Sequence, residues 1–218
     1  MFLHRHPYPP FLFDTATKWI VGTLPPPRFT TGHLRPGDVD FCYGSRDGQL
    51  WPILDRIFQL GLTYETTPEA VAERQAFLRR RGIGICDIVA EAQRQRIDAS
   101  DLGMQHIRLR DLLGLLSQYP RVETLLFTGG NSKNGPEYLF RKLLKQAGLT
   151  LQPVTVQVPR INTVELPGGR QLRTVSLTAP SGSANRAVGS LAEYKARKAN
   201  DPAYTVLDFR VEQYRRFF

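Results

Sequence analysis

The chain has 218 residues, 41% of them hydrophobic, and a formal net charge of +9 from 29 Lys and Arg against 20 Asp and Glu. That length is enough for one sizeable core in a single domain, 1–218, and no apolar run approaches the roughly 20 residues of a membrane-spanning helix. The basic excess favours polyanionic partners through counterion release and steering. The proline-broken N-terminus lacks the apolar stretch of a signal peptide. Cys42 and Cys86, outside any metal-ligand spacing, read as reduced thiols of a cytoplasmic protein with no metal and no cofactor.

Residues 1–17, rich in proline and aromatics, read as an irregular arm. Residues 18–23 form a short apolar strand, stopped by Gly22 and by Pro25-Pro26-Pro27, which lack backbone N–H groups. Residues 28–50 read as a long loop whose aromatics Phe29, Phe41 and Tyr43, with Trp51 just beyond, argue against disorder. The spacing of Ile53, Leu54, Ile57, Phe58 and Leu60 predicts an amphipathic helix over 51–61. Thr67 caps a second helix that has Pro68 at its first position and ends in Arg79-Arg80-Arg81-Gly82. Residues 83–89 read as a short buried strand leading to a loop or helix, 107–119 as a leucine-rich helix, and 123–128 as a second buried strand ended by Gly129-Gly130-Asn131. A basic amphipathic helix follows over 136–147. Strands are expected over 150–158 and 171–177, across a Pro167-Gly168-Gly169 turn, with a terminal helix from near Leu191. Buried strands alternating with helices imply a parallel or mixed sheet covered on both faces. In such sheets a ligand lies beyond the carboxyl ends of the strands, where the loops after Val21, Ile88, Phe127 and Leu177 converge.

Two loops stand out, one at each end of the chain. Gly22-Thr23-Leu24-Pro25-Pro26-Pro27 lacks the lysine and hydroxyl of a phosphate-binding loop. It gives either a rigid wall for a flat ligand or an ordinary tight turn. Pro180-Ser181-Gly182-Ser183-Ala184-Asn185-Arg186 is small and polar; it either lets a phosphate backbone approach, with Asn185 or Arg186 at the tip, or is a surface turn. Phe41 and Tyr43 share one face of an extended chain. One of them stacks on a base, or both pack against Trp51. Asp87 at a strand end is a helix N-cap or a polar reader of a ligand. Asn131 and Lys133 lie in a glycine-rich turn before a helix, a setting that presents donors to anions or serves only for close packing.

These segments, in this order, resemble the signature motifs of the uracil-DNA glycosylase superfamily, in its bacterial branch near the SMUG-like and hypoxanthine-DNA glycosylases. The resemblance rests on Gly22-Thr23-Leu24-Pro25-Pro26, on Phe41–Tyr43 followed by Trp51-Pro52-Ile53, on Gly84-Ile85-Cys86-Asp87, on Thr128-Gly129-Gly130-Asn131 and on Pro180-Ser181-Gly182-Ser183-Ala184-Asn185, across roughly residues 18–200. It implies a three-layer αβα sandwich around a central, mostly parallel four-stranded sheet. It further implies a monofunctional, metal-independent enzyme of base excision repair, acting as a monomer on DNA, single- or double-stranded. Such an enzyme flips a deaminated or damaged base, uracil or a relative, out of the stack and hydrolyses its N-glycosidic bond. By the same resemblance Gly22, Thr23, Leu24, Phe41, Tyr43 and Asp87 hold the base. Pro180, Ser181, Gly182, Ser183, Asn185 and Arg186, with Asn131 and Lys133, hold the DNA. Where related sequences carry Asn just before the tryptophan helix, this chain has Gly48. Asp47, beside it, is the expected water-activating carboxylate, and Asp40 is the alternative. Two other readings stay open: a catalytically weak or silent nucleic-acid-binding protein on the same fold, and a nucleotide or nucleoside hydrolase.

Overall fold

The computed structural model describes residues 1–218. Four parallel strands form its centre: β2 (Lys18–Val21), β3 (Ile83–Ile85), β6 (Thr124–Phe127) and β9 (Gln171–Ser176), in the order β3-β2-β6-β9. Side chains alternate across these strands at period two, and the alternation divides the core. Trp19, Val21, Leu125, Phe127 and Leu172 point to one face, where helices α4 (Leu112–Gln118) and α5 (Pro136–Gln146) cover them with Leu112, Leu116, Leu139, Phe140 and Leu144. Ile20, Leu126, Val175 and the β3 isoleucines point to the other, under α2 (Leu50–Phe58), α3 (Pro68–Arg80) and α8 (Val206–Arg215). The sandwich is therefore three layers deep, with a central, mostly parallel sheet.

The elements depart from the sequence reading at four places. The irregular arm contains β1 (Phe2–Arg5), which pairs antiparallel with β4 (Val89–Arg94). The single helix expected over 107–119 is divided: β5 (Gln105–Leu109) pairs with β4, and α4 starts afresh where Asp111 caps the Gly114 N–H. A six-residue strand, β8 (Arg160–Glu165), lies between the two late strands expected, so the Pro167-Gly168-Gly169 turn joins β8 to β9. Both of its glycines take positive φ, +87° and +81°, which a side chain would oppose. With β7 (Gln152–Thr155), this hairpin extends the four parallel strands to six in the order β3-β2-β6-β9-β8-β7. Finally, the terminal helix expected from near Leu191 is two, α7 (Ala192–Asn200) and α8, and a short α6 (Asn185–Gly189) precedes them.

The long loop over 28–50 opens with the single turn α1 (Pro27–Thr30) and is organised by Asp38. Asp38 is fully buried; one carboxylate oxygen accepts from Arg28 Nε at 2.7 Å and Arg35 N at 2.8 Å, the other from Arg28 Nη2 and Arg46 N, both at 2.8 Å. A buried carboxylate is tolerable only when saturated in this way. The segment is thus fixed without regular structure. No helix of the chain is long and apolar enough to cross a membrane.

Candidate active site at the carboxyl edge of the sheet

Parallel pairing brings Gly22, Asp87, Thr128 and Leu177 to one edge of the sheet. The backbone continues the ladder there: Ile88 N donates to Gly22 O at 2.9 Å, Thr128 N to Val21 O at 3.0 Å, and Leu177 N to Phe127 O at 2.9 Å. Asp87 sits at the centre, 6% exposed. Its Oδ1 accepts from Gly22 N and from the Tyr43 hydroxyl, each at 2.7 Å, and its Oδ2 is 2.9 Å from His6 Nε2. Tyr43 Oη is also 3.1 Å from Thr128 Oγ1. Burial, then the adjacent Asp87 charge, pushes the Tyr43 hydroxyl well above its ordinary pKa, so it stays a proton donor. The cluster is close-packed. A Cβ on Gly22 would lie 2.3 Å from Tyr43 Oη and 2.9 Å from both Asp87 Oδ1 and Thr128 Oγ1. Tyr43 reaches it from a left-handed backbone, φ 59°, an uncommon conformation for a bulky residue that a surrounding structure must enforce.

Asp87 is thus no helix N-cap. A strand, not a helix, follows it; Oδ1 accepts from Gly22 and Tyr43, and Oδ2 has the single partner His6. It ties three strand-end loops and the N-terminal arm together. Phe41 is likewise placed differently from a stacking platform. It is buried at 6% exposure, edge-on to Phe11 at 5.7 Å between ring centres and tilted against Trp51 at 6.2 Å. The first loop divides residue by residue: Gly22 joins the Asp87 cluster, the Thr23 hydroxyl donates to Asp101 Oδ1 at 2.7 Å, and Leu24 packs half-buried on the core. Burial raises the Asp101 carboxyl above its usual range, against the Thr23 hydrogen bond and the charge of Arg94.

The two loops singled out by sequence meet through the segment just before α2. Gly48 forms an antiparallel bridge with Ser181, and Gln49 N donates to Pro180 O at 2.8 Å. A Cβ on Gly48 would stand 3.0 Å from Ser45 O, so local packing favours glycine where the resemblance leads one to expect Asn. Beneath the junction lies Arg210, fully buried on α8. It donates to Gln49 Oε1, to Asn185 Oδ1 at 2.7 Å and to Ser181 O at 3.2 Å, and has no carboxylate within salt-bridge distance. Asn185 is therefore turned inward, while Gly182, Ser183 and Arg186 are exposed; Ser181 Oγ and Ser183 Oγ are 3.0 Å apart. Asn131 and Lys133 are exposed on the loop after β6.

Of the acidic residues before Trp51, Asp47 has a 66% exposed side chain and accepts from Arg28 Nη2 at 3.3 Å. Arg28 directly follows the proline wall, and Gly48 holds the far wall, so Asp47 stands where the two walls join. Asp40 accepts from the Tyr8 hydroxyl at 2.7 Å. His6, Tyr8, Asp38 and Arg210 escaped the sequence reading. A turn-forming Pro36-Gly37-Asp38 was the only local signal for any of them.

No protein-family profile matches this chain, and no curated protein sequence does. Among solved structures, the solution NMR structure of a candidate uracil DNA glycosylase from Methanosarcina acetivorans is similar to it. The match has a TM-score of 0.55 at 17% identity and spans 97% of this chain and 99% of that one. At that identity the likeness is one of fold: this chain has a uracil-DNA glycosylase-like α/β architecture.

Proposed function

We propose that this chain is a DNA glycosylase of base excision repair. The observation that carries the reading is the position of Asp47, exposed, bonded to the first wall through Arg28 and adjacent to the Gly48–Ser181 bridge to the second. In open α/β sheets the ligand crevice lies at this edge, and a flipped nucleotide needs two walls joined at their base. The +9 charge supplies the attraction for duplex phosphate. Asp47 orients a water and accepts its proton as the oxygen attacks C1′; the N-glycosidic electron pair leaves with the base. Asp87 acts indirectly, by fixing Gly22 and Tyr43. The exposed residues Gly182, Ser183, Arg186, Asn131 and Lys133 flank the crevice as DNA contacts.

The test is alkaline strand cleavage of labelled oligonucleotides carrying uracil, hypoxanthine, xanthine, 5-hydroxymethyluracil or a T·G mismatch, single- and double-stranded, with excess protein in EDTA. Cleavage at one of these bases is expected. Asp47→Ala is expected to slow it by about 10²–10⁴-fold, the range for a positioned general base. Its melting temperature should stay unchanged, since the side chain is exposed. Full activity in Asp47→Ala sinks the assignment. A second reading, a DNA-binding protein without catalysis, is favoured by the Arg28 pairing of Asp47. Salt-sensitive binding with no cleavage of any substrate would establish it.

A further inference from the structure

Glu137 opens α5, directly after the Asn131–Lys133 loop, and is fully buried. Its Oε1 accepts from Arg141 Nε at 2.9 Å. Its Oε2 accepts from Ser176 Oγ at 2.6 Å and from Arg160 through Nη2 at 2.9 Å and Nε at 3.2 Å. One carboxylate therefore serves two guanidinium groups, and the cluster keeps one positive charge in excess. Arg141 spends a further nitrogen on Asn162 Oδ1 at 3.3 Å. Both side chains are partly exposed, Arg141 at 35% and Arg160 at 31%, and each has an Nη1 that is neither hydrogen-bonded nor buried. Arg160 is the one that reaches the loop after β6. Its guanidinium is pinned against the loop backbone, since a Cβ on Gly130 would meet Nη2 at 2.8 Å. Arg160 begins β8, antiparallel to β9 and opposite Ser176, so it stands at the same sheet edge as the proposed crevice. Its side chain lies on the α5 face of that edge, beside Gly130 at the start of the loop bearing Lys133.

We propose that Arg160, oriented from beneath by Glu137, is a phosphodiester-binding residue that fixes the path of the DNA backbone beside the Asn131–Lys133 loop. The inference rests on the DNA-binding part of the proposed function. A guanidinium whose Nε and Nη2 are committed to a buried carboxylate presents its remaining nitrogen in one direction, which suits a phosphate of defined position. Glu137 is a positioning residue. Gly130 leaves the phosphate room to approach, since any side chain there would displace the guanidinium.

The experiment measures binding of undamaged labelled duplex by fluorescence anisotropy over a KCl series. It compares the wild type with Arg160→Gln, Glu137→Gln and Arg121→Gln; Arg121 is exposed at the opposite edge of the sheet and carries the same charge change. Arg160→Gln is expected to flatten the plot of log K against log salt by about one contact's worth, near 0.9. Arg121→Gln should leave it unchanged. Glu137→Gln adds positive charge, yet is expected to weaken binding, because Arg160 is no longer held. Equal effects at Arg160 and Arg121, or tighter binding by Glu137→Gln, would overturn the proposal. Thermal melts of each variant exclude unfolding, and Arg160→Gln decides alone if Glu137→Gln does not fold. Because undamaged DNA is used, the result stands whether or not the protein cleaves. Absence of cleavage refutes the glycosylase reading and leaves this one, whereas absence of DNA binding by the wild type refutes both.

Discussion

Replacing Asp38 by asparagine should both destabilise the protein and change how its stability depends on pH. Burial by itself pushes the Asp38 carboxyl up. The Arg28 guanidinium and the N–H groups of Arg46 and Arg35 outweigh it and hold the pKa at about 2, against an ordinary 3.8. A depression of that size corresponds to about 2 kcal/mol of stability at neutral pH. Removing one member of a buried pair typically costs about 3–5 kcal/mol, because the other charge is left uncompensated. Arg28 retains Ser45 and Asp47 as partners, which places Asp38→Asn at the lower end, about 3 kcal/mol. At about 2–4 °C per kcal/mol for a chain of this size, the melting temperature should fall by about 6–12 °C at pH 7. The folded pKa lies below the unfolded one, so this contribution is fully present above about pH 4 and is lost as pH falls through 2; about half is gone by pH 3. Thermal and urea unfolding of both proteins at pH 7 and pH 3 would show a gap that narrows on acidification. A variant melting within about 2 °C of wild type at pH 7, or a gap unchanged at pH 3, would refute the account of Asp38 as the organiser of the 28–50 loop.

Two further substitutions probe other parts of the structure. Gly22→Ala forces a methyl group into contact with Tyr43, Asp87 and Thr128, and overpacking of this kind costs about 1–3 kcal/mol. A urea midpoint equal to wild type would show that the strand-end cluster is looser than described. His4 is buried and accepts from Arg94 Nε at 2.8 Å; burial first, then the Arg94 charge, lowers its pKa from 6.5 to about 4. The unfolded chain takes up that proton first. The wild type should therefore lose roughly 3 kcal/mol as pH falls from about 6.5 to about 4. His4→Asn, which keeps an acceptor near Nδ1, should flatten that part of the profile, and an unaltered profile would discount His4.

Central strands β2, β3 and β6 were legible because each is a short run of mainly apolar residues packed on both faces and bounded by glycine, and β9 because it follows the Pro167-Gly168-Gly169 turn. The Trp51 helix and the Thr67-capped helix were legible from apolar spacing and from cap chemistry. β8 was missed because Arg-Ile-Asn-Thr-Val-Glu has only two apolar residues, Ile161 and Val164, three apart, so no period-two alternation shows; its burial comes from lying beside β9. The 107–119 stretch misled because leucines continue through Arg110 and Asp111, where the cap ends a strand and starts a helix. The candidate site was legible as a set of loops and not as a set of side chains. Asp87 was found, but its partners His6 and Tyr43 are 81 and 44 residues away in sequence, and nothing local signals either contact.

By itself the sequence determined the alternation of strands and helices, the basic surface and the loops that gather at one sheet edge, because periodicity, caps and charge are properties of neighbouring residues. Tertiary structure alone decided which polar groups are spent within the protein and which remain for a ligand. Asp87 is buried against three polar partners and Phe41 against two aromatic neighbours, while Asp47 and one nitrogen of Arg160 are left facing outward. Hydrogen-bond capacity is finite and is settled by contacts across long sequence separations, so which carboxylate is free for chemistry becomes known only when the chain has closed on itself.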